Sequence, residues 1–85
     1  MSDWFVYILQ CGDGTLYTGI ATDVQARVEK HRLGKGAKYT RGRGPLKLVF
    51  VEAQESESAA HLRENALKKM TRAEKIKLCY TWANN

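Results

Sequence analysis

The sequence predicts a small α+β domain: a three-stranded antiparallel sheet flanked by helices, in the order β-β-α-β-α-α. Three observations predict it. Two runs rich in aromatic and β-branched residues, "WFVYILQ" and "TLYTGIA", flank the glycine-bearing turn "CGDG". A third such run, "LKLVFVEA", follows a basic loop. Between and after these runs lie segments with helical spacing and capping residues. At 85 residues the chain is expected to form one domain, residues 1–85, near the lower size limit for a self-sufficient core.

The elements follow in order. Trp4 to Gln10 reads as the first strand, and Thr15 to Ala21 as its hairpin partner. Thr22 stands three residues before Gln25, a capping-box pattern that starts a helix running to about Leu33 and stopping at Gly34. "GKGAKYTRGRGP" is a basic, glycine-rich loop, and Leu46 to Ala53 is the third strand. Ser56 or Ser58 caps the next helix, which runs to about Met70. Thr71 and Glu74 form a second capping box, so a last helix begins at Arg72 and extends to Trp82.

Charge is the main compositional signal. The net charge is +5, and between Arg27 and Lys47 the only acid is Glu29. Such a block favours a polyanionic partner through phosphate contacts and counterion release, although a solvated surface carries the same charge pattern. Cys11 and Cys79 are too few for a disulfide framework or a zinc site and read as unpaired thiols in a reducing cytoplasm. No apolar run is long enough to span a membrane, and the expected location is cytoplasmic.

Several polar residues stand where core packing is expected. Tyr7 shares a strand face with Phe5 and Leu9, and Tyr17 shares one with Gly19. A two-residue turn at Asp13-Gly14 puts the tyrosines on opposite faces. A three-residue turn, Gly12-Asp13-Gly14, pairs Leu9 with Tyr17 and Tyr7 with Gly19, and both phenols then share one face. In that register Gly19 leaves room for a ligand backbone. Alternatively, the tyrosines are amphipathic core residues with their hydroxyls in water. Arg27 and His31, four apart, adjoin the stripe of Val24 and Val28. An arginine there can clamp phosphate and a histidine can exchange a proton; a snorkelling arginine and a half-exposed histidine fit the pattern too. Glu64 falls at the edge of an apolar arc of Ala59, Leu62, Ala66, Leu67 and Met70. It suits a hard divalent cation, or a local ion pair with Lys68.

Taken together these residues resemble the GIY-YIG nuclease superfamily, in particular its small stand-alone bacterial members, over essentially the whole chain. "FVYIL" stands at the first motif with Tyr7 as its tyrosine, and "LYTGI" at the second with Tyr17 and Gly19. Arg27, His31 and Glu64 match the helix arginine, the His-or-Tyr one turn later and the metal-binding glutamate. "GKGAKYTRGRGPLKLVF" and "TRAEK" look like signatures of the subgroup. Two departures stand out. Phe5-Val6-Tyr7 replaces Gly-Ile-Tyr, and Ile76 to Cys79 hold no asparagine at the distance past Glu64 where many superfamily nucleases have one; Asn84 and Asn85 lie only at the extreme terminus.

The resemblance implies metal-dependent hydrolysis of a nucleic-acid phosphodiester, with a place in DNA repair or processing. Tyr7 is then the general base, its pKa lowered by Arg27, the metal and nearby lysines, and Tyr17 positions water or phosphate. Arg27 stabilises charge on the phosphate, His31 relays a proton or orients Tyr7, and Glu64 holds one Mg²⁺ or Mn²⁺. Gly19, Lys35, Lys38, Tyr39, Arg41 and Arg43 contact the nucleic acid, Tyr39 by stacking on an unpaired base. DNA is favoured over RNA, a further protein is a candidate source of specificity, and the chain is expected as a monomer or weak dimer. The alternative implied by the missing asparagine is a DNA- or RNA-binding module that keeps the nuclease fold with weak or no turnover. A protein-interaction domain using Trp4 or Trp82 is a third reading.

Overall fold

The computed structural model describes residues 3–84. Strand β1 spans Trp4–Gln10 and β2 spans Leu16–Ala21. Helix α1 spans Val24–Arg32, a short 3₁₀ turn covers Lys38–Thr40, and β3 spans Lys47–Gln54. Helices α2 (Glu57–Lys68) and α3 (Arg72–Ala83) complete the chain. The sheet is antiparallel with order β2-β1-β3, so β1 is central and β2 is an edge.

Alternation along β1 divides the interior into two layers. Tyr7 and Leu9 face α1 and pack with Cys11, Ala21, Val28 and Leu46. Val6 and Ile8 face the opposite way, onto Phe50, Ala60 and Leu67, with Met70 and Leu78 adding cover from the α2–α3 side. A bulge at Val49 shifts the β1–β3 register between Ile8/Phe50 and Leu9/Leu48.

The hairpin takes the longer turn. Leu9 pairs with Tyr17 and Tyr7 with Gly19, so the two tyrosines share the α1 face. Gly14 N–H donates to Cys11 O and Cys11 N–H to Thr15 O, which closes the loop Gly12-Asp13-Gly14. Gly14 adopts φ +85°, a left-handed conformation that glycine takes without steric cost and that a three-residue hairpin needs. Asp13 Oδ1 accepts from both the amide and the hydroxyl of Thr15, at 3.1 and 2.7 Å.

Three local expectations are revised. The cap of α1 is Asp23, not Thr22: Asp23 is extended and its carboxylate accepts from Ala26 N–H at 3.1 Å, which moves the start of the helix on by one residue. Ser56 takes the cap of α2, accepting from Ala59 N–H, and the helix ends at Lys68, short of Met70. The packed stripe of α2 is also rotated from the expected arc. Leu62 and Ala66 face solvent, while Ala60 and Leu67 are buried with Glu64 between them at i, i+4 and i+7. The Thr71–Glu74 capping box forms in full. Both cysteines are free thiols. No described helix is long and apolar enough to cross a membrane.

Candidate functional site

The site grows from the hairpin register. Tyr7 points from the central strand toward α1 and is fully buried. It stands opposite Gly19, and the fit is tight: a Cβ added at Gly19 would lie 2.6 Å from Tyr7 Oη and 2.7 Å from Cζ. The space expected for a ligand beside Gly19 is therefore filled by the phenol of Tyr7 itself. Gly19 serves by letting a tyrosine lie flat across its neighbouring strand.

Helix α1 supplies the next layer. Its buried residues are Val28 and His31, so the histidine occupies a core position one turn beyond the valine stripe. His31 Nε2 lies 2.8 Å from Tyr7 Oη in a buried hydrogen bond. Nδ1 lies 2.9 Å from Thr40 Oγ1 and accepts from or adjoins Ala37 N–H at 3.3 Å. Thr40 Oγ1 in turn donates to Ala37 O at 3.0 Å. Two tautomers satisfy this chain. With Nδ1–H donating to Thr40, Nε2 accepts the Tyr7 proton; with Nδ1 accepting from Ala37, Nε2–H donates to the phenol oxygen. Both arrangements leave Tyr7 a neutral phenol and differ in which imidazole nitrogen carries the proton.

An aromatic stack closes the front. Tyr17 meets His31 edge-on with ring centroids 5.1 Å apart and tilts against Tyr7 at 6.4 Å. Tyr39, from the 3₁₀ turn, stacks on Tyr17 at 5.9 Å, and the Arg43 guanidinium lies 4.6 Å over the Tyr39 ring. Arg43 also pairs with Asp13 at 2.5 Å, and its carbonyl accepts from Gly12 N–H. The basic loop is thus tied at both ends, to His31 through Thr40 and to the hairpin turn through Arg43. Tyr39 is already engaged by Tyr17 and Arg43, so a base stacking on it must compete with those contacts.

Electrostatics depart from the expectation of a lowered phenol pKa. Burial pushes Tyr7 up to about 12, against the opposing pull of the Arg27 guanidinium, and the charges of Tyr17 and Glu64 push further upward. His31 is depressed below its ordinary value by burial and by Arg27, and is neutral at pH 7.

Glu64 is mostly covered and pairs with Lys68 at 3.3 Å and with His61 at 3.7 Å. Among the described residues no group of three or more His, Cys, Asp or Glu side chains is placed to share a metal ion. Any cation at Glu64 would have one carboxylate ligand from the described residues, with water and substrate oxygens completing its shell. Lys35, Lys38 and Arg41 are exposed on the loop. Asn84 bonds back to Tyr80 O at 2.8 Å on its own helix, and Asn85 lies outside the described residues.

Sequence reasoning missed Thr40 and Gly36. Thr40 is buried by the ring it holds, and a Cβ at Gly36 would lie 2.3 Å from His31 Nδ1. A threonine and a glycine inside a basic loop were the only signals, and neither declares a partner nine or five residues upstream.

Comparison with known proteins agrees with this fold. The chain is 54% identical over 78 residues to the UPF0213 protein of Staphylococcus aureus (strain Mu3), covering 92% of this chain and 95% of that protein. The solution NMR structure of the UPF0213 protein BH0048 from Bacillus halodurans is similar at 49% identity and TM-score 0.59, over 92% of this chain and 83% of that one. That of EF2693 from E. faecalis is similar at 34% identity and TM-score 0.64, over 100% and 94%. The family model for the GIY-YIG catalytic domain matches residues 3–77, and the chain belongs to that family as a small stand-alone domain.

Proposed function

We propose that this protein binds nucleic-acid phosphodiesters over the Tyr7–Tyr17–His31 cluster and turns them over slowly or not at all. The observation that carries the reading is the complete burial of the Tyr7 phenol in a cationic setting. Arg27 and the exposed Lys35, Lys38 and Arg41 suit a phosphate backbone. The phenol meant to take a proton from water is held protonated, with its pKa pushed up to about 12. A general base works best near the operating pH, and burial moves Tyr7 the wrong way. One carboxylate oxygen of Glu64 also lies 3.3 Å from the Lys68 ammonium and the other 3.7 Å from His61 Nδ1, contacts that a metal must displace.

One observation favours the second reading, a Mg²⁺- or Mn²⁺-dependent endonuclease: the 2.8 Å contact between Tyr7 Oη and His31 Nε2 joins the phenol to a group able to take its proton. In that reading Glu64 would hold the cation, which would supply charge stabilisation to the reacting phosphate. Arg27 neutralises charge building on the phosphate and Tyr17 orients the attacked group. His31, neutral and hydrogen-bonded at both nitrogens, takes or returns the Tyr7 proton.

Fluorescence anisotropy and gel assays on single-stranded, duplex and flap DNA and on RNA, with and without Mg²⁺ or Mn²⁺, separate the two. The expected result is salt-sensitive binding with little cleavage, retained in Glu64→Ala. Efficient cleavage lost in both Glu64→Ala and Tyr7→Phe replaces the binding reading with the nuclease. Absence of binding at low salt refutes both.

A further inference from the structure

The basic loop is the obvious cationic surface, yet hollows with their own cations lie along the edge strand β2. Two adjoining hollows, of about 190 and 250 Å³, share Leu16, Tyr39 and Lys75. The first adds Arg72, and the second adds Tyr17, Thr18 and Lys68. A third hollow, about 310 Å³, lies at the other end of β2, bounded by Ile20, Ala21, Arg27 and Lys30, and by Asp23, whose carboxylate is engaged in capping α1. Tyr17 and Thr18 project to opposite faces of the sheet, as do Ile20 and Ala21. Hollows that include both members of such a pair straddle the edge of β2. The Tyr7–Gly19 pair lies between the two ends.

The cations at the two ends come from distant parts of the chain. Arg27 and Lys30 are on α1, Lys68 is the last residue of α2, and Arg72 and Lys75 form the first turn of α3. Among the described residues neither Arg72 nor Lys75 makes an ion pair within 4 Å, and a Cβ at Gly14 would lie 3.8 Å from the Arg72 guanidinium, which places it over the hairpin turn. Six residues of strand rise about 20 Å, long enough for several phosphates of one nucleic-acid strand.

We infer that one nucleic-acid backbone lies along the β2 edge, with Arg27 and Lys30 on one side of the Tyr7–Tyr17 cluster and Lys68, Lys75 and Arg72 on the other. The inference rests on the nucleic-acid reading above and deepens it: the second half of the contact surface belongs to the junction of α2 and α3 rather than to the glycine-rich loop. Tyr39 belongs to both, because it lines these hollows while being carried by the loop.

The test is the salt dependence of oligonucleotide binding by the full chain, comparing wild type with the double variant Arg72→Gln/Lys75→Gln and with Lys47→Gln on the opposite sheet edge. Two lost phosphate contacts lower the slope of log K against log salt by about 1.4 on single strands and about 1.8 on duplex. On single strands the affinity gap to wild type then shrinks about sevenfold over a fourfold rise in salt. Lys47→Gln is expected to keep the wild-type slope. A double variant that melts like wild type and keeps its slope overturns the inference while leaving nucleic-acid binding intact. Wild-type protein that binds no oligonucleotide at low salt overturns the functional reading and this one with it.

Discussion

Gly19→Ala tests what the missing side chain is for. If the space beside Gly19 belongs to Tyr7, a methyl group there harms folding before it harms binding. The ideal Cβ lies 2.6 Å from Tyr7 Oη, 2.7 Å from Cζ and 3.1 Å from Tyr17 Cε2. A phenol tip normally yields easily, but this ring has no exposed surface and is held by His31 at 2.8 Å. Overpacking a filled core costs about 1–3 kcal/mol. The φ of Gly19 is not left-handed, so alanine adds no backbone strain and recovers about 0.4–1 kcal/mol by restricting the unfolded chain. The net loss runs from about 0 to about 2.6 kcal/mol with a midpoint of about 1.3, which is a fall in Tm of about 5–10 °C for a domain of this size. Thermal and urea denaturation followed by circular dichroism read it directly. In a Tyr7→Leu background the ring is gone and the same substitution should cost much less, with only the 3.1 Å contact to Tyr17 Cε2 remaining, so the double-mutant cycle isolates the part of the clash that belongs to Tyr7. A Gly19→Ala protein that melts with wild type but binds nucleic acid more weakly refutes the reasoning and returns the space to a ligand.

Further outcomes follow from the buried hydrogen-bond chain. Thr40→Val keeps the shape of the side chain and removes the partner of His31 Nδ1, at an expected cost of about 1–3 kcal/mol in urea unfolding; a change below the error of the measurement refutes the positioning role. The pH profile of stability should fall on both sides. His31 is depressed from 6.5, so the unfolded chain takes up a proton that the native state refuses, and its contribution is present above pH 6.5 and lost below it. Tyr7 is raised, so its contribution is complete below pH 10 and lost between pH 10 and about 12. Tyr7→Phe should abolish the alkaline loss specifically, and an unchanged alkaline limb in that variant contradicts the assignment.

Much of the fold was legible because its signals are local. The aromatic and β-branched runs form the strands, and the Thr71–Glu74 capping box forms as its spacing requires. Errors arose where neighbouring residues compete for one local role. Thr22 and Asp23 are both good caps, and only the backbone path out of β2 selects the carboxylate. The phase of α2 was misjudged because Leu62 is apolar yet exposed, while Glu64 is charged yet turned inward between Ala60 and Leu67. A hydropathy pattern cannot rank a carboxylate held by Lys68 at the sheet edge above a leucine.

The candidate site divides along the same line. Tyr7, Tyr17, Arg27, His31 and Glu64 were identifiable as odd residues at regular spacings, and the hairpin register was reduced to two options. The sequence by itself determined which side chains are available and which turns permit them to meet. Tertiary structure alone decided that the three-residue turn forms, that Thr40 and Gly36 close around His31, and that Arg72 and Lys75 return to the β2 edge. It also decided the state of Tyr7, because a pKa depends on what surrounds the phenol rather than on what precedes it in the chain. Burial removes the water that would solvate a phenolate, and that loss outweighs the nearby guanidinium of Arg27.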